Sequence, residues 1–135
     1  MNDKKPALPE NLTLNQDQPL LPISAVAEIL KVHQRTLRIY DAENILVPSR
    51  TPKNRRLYSL NDMEKGKFIQ YLTRDLGINL IGVKIIFLLL SELKISPDKY
   101  IEHIGEIAKN IGLSSEAQQK NRRKYSKRGR KSQEK

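Results

Sequence analysis

Two short amphipathic segments separated by only three residues constrain the fold of this chain more than any other feature. In the first segment, residues 22–30, Ser24 is placed to cap a helix, and three apolar side chains share one face: Val26, Ile29 and Leu30. The second segment runs from about residue 34 to residue 43, with Leu37 as its core position. This spacing is typical of a helix-turn-helix, although an ordinary helical hairpin has the same pattern.

A basic hairpin is predicted after the second helix. Two short extended runs, residues 45–47 and 55–58, flank a polar loop that contains Pro48 and Pro52. Four of the nine residues from position 50 to position 58 are basic, and none is acidic. Beside a helix-turn-helix, such a hairpin is a wing. The alternative is a solvated basic loop.

Two longer helices supply most of the predicted core. Ser59 and Asp62 have the spacing of a capping box at the start of the first, and Gly77 is suited to end it. Its apolar stripe contains Phe68, Ile69, Leu72 and Leu76. The second helix, about residues 80–93, carries a core stripe of Val83, Ile86, Phe87, Leu90 and Leu93. The predicted fold is mainly α: a winged helix-turn-helix with a small β-hairpin wing, two following helices and a short C-terminal helix.

The short C-terminal helix, which follows Ser96 and Pro97, carries the predicted dimer contact. Apolar residues recur along it with the spacing of a coiled-coil seam, but only for about two heptads. The residues predicted for dimerisation are Tyr100, Ile101, Ile104, Ala108 and Ile111. So short a helix needs a partner to be stable. We expect a second copy of the chain to cover this edge, and the body of the same domain is the alternative.

Composition divides the chain into four parts. Residues 1–19 are polar, contain three prolines and are predicted to be a flexible arm. Residues 20–95 form the predicted DNA-binding domain, residues 96–112 the dimerisation helix, and residues 113–135 a basic disordered tail. The tail has nine basic and two acidic residues, so it carries +7 of the net charge of +10. That excess favours a polyanionic partner.

Several classes of protein are disfavoured by the composition. The chain has no cysteine, which excludes disulfides and thiolate metal sites. Its longest apolar run, residues 85–90, is far shorter than the roughly 20 residues that span a bilayer. His33 and His103 are isolated from other ligand types. We therefore expect a soluble intracellular protein with no catalytic residues, no metal and no cofactor.

Two strings of residues resemble those of a known family. VHQRTLRIYD (residues 32–41) is similar to the recognition helix of the MerR family of bacterial transcription regulators, and NRRLYS (residues 54–59) resembles the signature of its wing. The likeness covers roughly residues 21–93. Within the family, residues 32–33, 49–51 and 76–83 most resemble the HspR-type heat-shock repressor branch. Gln34 replaces a proline common in that branch, and Arg35 replaces a glutamine.

The resemblance implies a set of DNA-binding residues. Gln34 and Arg35 are expected to reach base edges in the major groove, because these side chains pair well with adenine and guanine. Arg38 and Tyr40 match family positions that touch DNA, mainly its backbone. In the wing, Arg56 and Tyr58 are expected to grip phosphate. The full predicted set is Gln34, Arg35, Thr36, Arg38, Tyr40, Arg50, Lys53, Arg55, Arg56 and Tyr58.

The same resemblance implies a function. It predicts a homodimer that binds an inverted repeat in double-stranded DNA and represses transcription of heat-shock or chaperone genes, with a chaperone as corepressor. Such a protein would lie in the cytoplasm at the nucleoid and not at a membrane. Two other hypotheses remain open: an excisionase-like architectural DNA binder, and a module that binds nucleic acid or protein through its basic tail.

Overall fold

A computed structural model of the protein describes residues 15–113. Within that range the chain forms five α-helices and a small sheet, which confirms the predicted mainly α winged helix-turn-helix. The elements are β1 (Leu21–Pro22), α1 (Ile23–Leu30), α2 (Gln34–Ala42), β2 (Ser49–Arg50), β3 (Arg56–Tyr58), α3 (Leu60–Gln70), α4 (Leu80–Glu92) and α5 (Tyr100–Asn110). The predictions for residues 1–14 and 114–135, most of the arm and nearly all of the tail, lie outside the described residues.

The turn between α1 and α2 depends on a left-handed residue. Lys31 has φ of 57°, and its amide donates to the carbonyls of the last turn of α1, so the helix ends there. The start of α1 differs from the prediction: the helix begins directly after Pro22, and no side chain caps it, so Ser24 is not an N-cap. The buried face of α1 also differs from the predicted one. Val26, Ala27 and Leu30 are buried, whereas Ile29 is 55% exposed.

The sheet has three antiparallel strands in the order β1-β3-β2. Strands β2 and β3 form the wing, with Ser49 opposite Leu57 and Arg50 opposite Arg56. The first strand of the wing begins later than predicted, because Ile45 and Leu46 are buried core residues ahead of it. Strand β1, which the sequence did not reveal, pairs with the other edge of β3 and joins the wing to the first helix.

The amino-terminal part of the described chain is tied to the start of α3. The Asn61 amide donates to the carbonyl of Gln16 at 2.9 Å, and its side chain donates to Asp17 at 2.7 Å. The Leu20 amide donates to the carbonyl of Tyr58 at 3.1 Å. Gln16 and Asp17, which the prediction placed in the flexible arm, are therefore hydrogen-bonded to the domain.

Helix α3 begins with the capping box predicted from sequence. The Ser59 hydroxyl accepts from the Asp62 amide at 3.0 Å, and the Asp62 carboxylate accepts from the Ser59 amide at 2.9 Å. After Gln70 the chain continues as a π-helical turn, Tyr71–Asp75, in which the Leu76 amide donates to the carbonyl of Tyr71 five residues back. Gly77 follows with φ of 70°, as expected for a residue that ends a helix.

The core lies between α1, α2, β3, α3 and α4. Its completely buried side chains include Val26, Leu37, Tyr58, Phe68, Ile69, Leu72 and Val83. Three aromatic rings extend it towards α5, with ring centres 5.1 to 5.8 Å apart: Phe68, Phe87 and Tyr100. In α4, Val83 and Leu90 are buried as predicted, but Leu93 is 63% exposed. No helix among residues 15–113 is long and apolar enough to cross a membrane.

Helix α5 packs on its own domain along part of the predicted dimer seam. Tyr100 is 5% exposed, Ala108 is 1% exposed, and Ile104 packs against the core. Ile101 and Ile111 remain exposed. The domain itself therefore covers the middle of the seam, which was the alternative that the spacing left open.

Candidate nucleic-acid interface

Helix α2 presents a polar face to solvent and an apolar one to the core. Leu37 and Tyr40 are buried one turn apart and fix the rotation of the helix. Arg35 and Arg38 are therefore exposed, and Gln34 and Thr36 are half-buried. The Arg38 guanidinium donates to the side-chain oxygen of Gln34 at 3.2 Å, one turn earlier on the same face.

The tip of the wing carries two exposed cations, Lys53 and Arg55. Its loop is closed by hydrogen bonds around Thr51, whose amide donates to the Arg55 carbonyl at 2.8 Å and whose hydroxyl accepts from the Arg55 amide at 3.0 Å. Asn54 completes the turn with φ of 65°, a conformation that asparagine tolerates better than most residues. The sequence of this loop thus produces a closed turn that projects positive charge.

Asp41, near the end of α2, joins that helix to the wing. Its Oδ2 accepts from Arg56 Nε at 2.8 Å and from Arg50 Nη2 at 3.0 Å. The two arginines lie opposite each other on β2 and β3, so one carboxylate binds both strands of the wing. Asp41 is 13% exposed, which limits the screening of these ion pairs by water.

Asp41 was not among the residues predicted from sequence. The signal was present, because it is the only acidic residue within α2 and positions 47–58, which together contain six basic residues. Carboxylates are not expected on a surface that binds phosphate, so a single one among arginines indicates a positioning role. Sequence spacing alone could not show that residues 9 and 15 positions away would meet it.

Two residues predicted to contact phosphate are buried in this structure, contrary to the exposure that such a contact requires. Tyr58 is 0% exposed, and its hydroxyl has no hydrogen-bond partner within the described part of the chain. Burial raises the pKa of Tyr58 to about 12, opposed in part by the charge of Arg56. Tyr40 is 5% exposed, and its hydroxyl accepts from the Gln70 side chain at 3.1 Å. In this conformation both tyrosines lie in the core, beneath the exposed residues of α2 and the wing.

The remaining predicted residues form two groups. Arg50 and Arg56 are brought together at Asp41, and Gln34 and Arg38 are brought together on α2. Arg35, Lys53 and Arg55 are exposed on the helix and at the loop tip. Guanidinium groups and amide side chains are suited to phosphate and to base edges. Residues 15–113 contain no cluster that could hold a metal ion.

Comparison with known proteins agrees with this geometry. Residues 21–89 match the family described as MerR HTH family regulatory protein. The HTH-type transcriptional regulators GlnR of Bacillus anthracis and Bacillus cereus are each 38% identical to the chain over 91 residues, which is 67% of this chain and 69% of theirs. A putative heat shock protein named HspR, from Streptomyces coelicolor, is 41% identical over 71 residues, 53% of this chain and 47% of that protein.

The matched residues include every described element of the proposed interface. They run from β1 through the helix-turn-helix and the wing to most of α4. The match therefore rests on the same residues that build the exposed face of α2 and the basic wing. This chain belongs to the MerR family of helix-turn-helix transcriptional regulators.

Proposed function

We propose that this regulator is a repressor that binds an inverted repeat in double-stranded DNA as a homodimer. The observation that carries the proposal is the connection of the exposed face of α2 to the basic wing through Asp41. A helix and a wing held in a fixed relation can contact a groove and the neighbouring backbone at the same time. Two such units related by a two-fold axis match a DNA site of the same symmetry.

Base recognition is assigned to the amino-terminal half of α2. Gln34 and Arg35 lie in its first turn, where a helix that enters the major groove brings its side chains to base edges. Arginine pairs with guanine and glutamine with adenine, and a good pair contributes about 1–3 kcal/mol of discrimination. In the free protein Gln34 accepts from Arg38, so this amide exchanges one partner for another when it binds a base.

Contacts with the phosphate backbone of DNA are assigned to the wing and to Arg38. Lys53 and Arg55 are exposed at the loop tip, where phosphate can approach them from solvent. Contacts of this kind fix register and contribute affinity but carry no sequence information. The Arg50 guanidinium already has two partners: Nη2 donates to Asp41, and Nη1 donates to the carbonyl of Asn54 at 3.3 Å. Its main role is therefore to support the loop.

The heat-shock assignment is the finer part of the proposal. It is supported by the name of the Streptomyces coelicolor relative and by the branch-like strings at residues 32–33, 49–51 and 76–83. On this hypothesis the target genes encode chaperones, a chaperone acts as corepressor, and the protein works in the cytoplasm at the nucleoid.

The test is a selection of genomic DNA fragments by the purified protein, repeated over a series of salt concentrations. We expect an inverted-repeat motif, enrichment of chaperone promoters, and affinity that falls steeply with salt. Arg35→Ala should relax preference at one base pair of each half-site, whereas Arg38→Ala should weaken all sites alike. A motif found upstream of unrelated genes would contradict the heat-shock assignment but would still support a sequence-specific regulator.

Two other outcomes would support the competing hypotheses. Loss of all binding on removal of residues 114–135 would assign the affinity to the tail. Binding by adjacent monomers that bend DNA without an inverted repeat would favour an architectural protein. Either result would contradict the proposed repressor.

A further inference from the structure

A cleft opens on the side of the domain where α1 and α3 approach α5. Its volume is about 460 Å³, which is within the range of small-molecule sites in proteins. Its walls come from the end of α1, the second half of α3, the π-helical turn Tyr71–Asp75 and the start of α5. None of the residues predicted from sequence to bind DNA lines this cleft.

Positive charge converges on the cleft. Lys31, Lys67 and Arg74 line it, together with a single carboxylate, that of Asp75. Lys31 follows α1 directly, Lys67 lies on α3, and Arg74 lies in the π-helical turn, so the cations come from three separate places in the chain. A hollow with an excess of one charge focuses the electric field and concentrates ligands of the opposite sign.

The contacts that these cations make within the chain leave them able to bind a ligand. Lys67 Nζ lies 3.3 Å from a carboxylate oxygen of Glu64, and the two side chains are 49% and 33% exposed. Such an ion pair contributes little to stability and can exchange partners at low cost. Arg74 Nη2 donates to the Lys31 carbonyl at 3.4 Å. A guanidinium has five N–H donors, so this one bond does not exhaust its capacity.

Apolar and aromatic side chains also line the cleft. Ile29, near the end of α1, is 55% exposed, and Ile101, near the start of α5, is 39% exposed. Tyr71 lies in the same lining, where burial and the nearby charge of Asp75 raise its pKa. Its hydroxyl therefore stays protonated and can donate a hydrogen bond. Exposed apolar side chains beside cations match a ligand that has both a charged head and an apolar body.

Two unusual stretches of backbone meet at the cleft. The π-helical turn supplies Tyr71, Arg74 and Asp75 to the lining, and such turns occur frequently at functional sites. Lys31 has φ of 57°, a conformation that is uncommon for residues other than glycine. The extra residue of the π-helical turn changes the direction of the side chains around it, and three of them line the cleft.

We propose that this cleft binds a small organic anion, a carboxylate or a phosphate with an apolar body. Lys31, Lys67 and Arg74 hold the anionic head, and Ile29 and Ile101 contact the body. The proposal goes beyond the proposed repressor function and does not depend on it, because binding of the ligand can be measured without DNA. Lys31 lies three residues before the first residue of α2, so a ligand in the cleft also contacts the turn that positions that helix.

Titration of the full-length protein with 1-naphthyl phosphate tests the proposal. This probe joins an anion to a fluorescent apolar body, and the chain has no tryptophan that would obscure its emission. We expect its fluorescence anisotropy to show saturable binding to a single site. Inorganic phosphate (the head alone) and 1-naphthalenemethanol (the body without the charge) should displace it only at much higher concentrations. 1-Naphthaleneacetate carries a carboxylate instead, and the tighter of the two anionic probes identifies the preferred head group.

Variants assign the binding to the cleft. Lys31→Gln combined with Lys67→Gln should weaken binding of 1-naphthyl phosphate about tenfold or more, because two charge-assisted contacts are lost. Both side chains are exposed, so the variant should fold, and its thermal unfolding transition by circular dichroism verifies this. Lys99→Gln combined with Lys109→Gln removes the same charge outside the cleft and should leave binding unchanged. Ile29→Gln should also weaken binding, whereas Ile111→Gln, the same change outside the cleft, should not.

Three results would overturn the proposal: no saturable binding by the wild type, equal affinities of the two double lysine variants, or displacement of the probe by double-stranded DNA. The second result would assign the affinity to the overall charge of the chain, and the third would make the cleft part of the DNA-binding surface. The cleft variants should still bind the inverted repeat selected by the wild type. Failure of this proposal and failure of the proposed repressor are therefore distinguishable.

Discussion

Asp41 bears a negative charge in the middle of a surface that is otherwise positive, and its effect on DNA binding is therefore informative. It lies within 3.0 Å of nitrogen atoms on both Arg50 and Arg56. A carboxylate at such a position repels phosphate but also fixes two cations. These effects have opposite signs, so a substitution can separate them.

We expect Asp41→Asn to weaken DNA binding by roughly three- to tenfold, although it removes a negative charge. The reason is that an amide oxygen accepts more weakly than a carboxylate and carries no charge, so the two ion pairs that hold Arg50 and Arg56 against α2 are lost. Fluorescence anisotropy with a labelled operator measures the change. Glu43→Gln removes the same charge from the end of the same helix without contacting the wing, and it should leave affinity unchanged or slightly raised. Tighter binding by Asp41→Asn would contradict the positioning role.

Tyr58 provides a second prediction at this scale. Its hydroxyl is buried and has no partner within the described residues, so Tyr58→Phe should leave stability unchanged or raise it by about 1 kcal/mol near neutral pH. DNA affinity should not change. A loss of affinity by anisotropy, with folding intact, would restore the phosphate contact that the sequence suggested.

The raised pKa of Tyr58 also predicts a pH dependence. Burial raises the pKa from 10.0 to about 12 in the folded state, so above pH 10 the unfolded chain loses the phenolic proton first. Stability from this group is therefore complete below pH 10 and is lost as pH rises towards 12, by at most about 1.4 kcal/mol per pH unit. Denaturant unfolding at pH 9, 10 and 11 should show a smaller loss for Tyr58→Phe than for the wild type. Parallel curves would contradict the assignment.

At the scale of the elements, helix starts show what sequence can and cannot predict. Ser24 and Ser59 both precede apolar segments, yet only Ser59 caps a helix. Ser59 has a reciprocal partner three residues on, whereas α1 begins one residue before Ser24, directly after β1. That strand is two residues long and exists through pairing with β3, far away in sequence, so local spacing could not reveal it.

Ser59→Ala is therefore expected to lower the free energy of unfolding by about 1 kcal/mol, as is usual for loss of an N-cap. Ser24→Ala should change it by less than about 0.5 kcal/mol, because that side chain caps nothing. Urea unfolding followed by circular dichroism compares the two variants. Equal effects would mean that the capping assignment is wrong at one of the two sites.

At the scale of the whole molecule, the sequence predicted the order of the elements but not which apolar faces meet. The 3.6-residue period identified α4 and α5 as amphipathic, and the family-like strings located the helix and the wing. The same period cannot distinguish a face that packs on its own domain from one that packs on a second copy. This ambiguity explains two differences from the prediction. Ala108, predicted to lie at a contact between subunits, is buried within its own domain, and Leu93, predicted to be a core residue, is exposed.

The proposed phosphate contacts of the wing tip predict a change in the salt dependence of DNA binding. Lys53→Ala combined with Arg55→Ala should reduce affinity and make the plot of log affinity against log salt concentration shallower, by about one for each phosphate that the wing no longer binds. Lys99→Ala combined with Lys109→Ala removes the same charge from the residue just before α5 and from its last turn, and it should leave the slope nearly unchanged. Equal slopes for the two double variants would mean that the wing tip does not touch phosphate.

The π-helical turn Tyr71–Asp75 lies between α3, which follows the wing directly, and the last two helices, α4 and α5. It contains one residue more than an α-helical turn would, and the Thr73 hydroxyl, which donates to the Ile69 carbonyl at 2.9 Å, lies inside it. Deleting that extra residue would rotate everything that follows by about 100° relative to α3. The turn therefore sets the direction in which the exposed side chains of α4 and α5 face relative to α2 and the wing, so a single residue determines how the two halves of the domain present their surfaces.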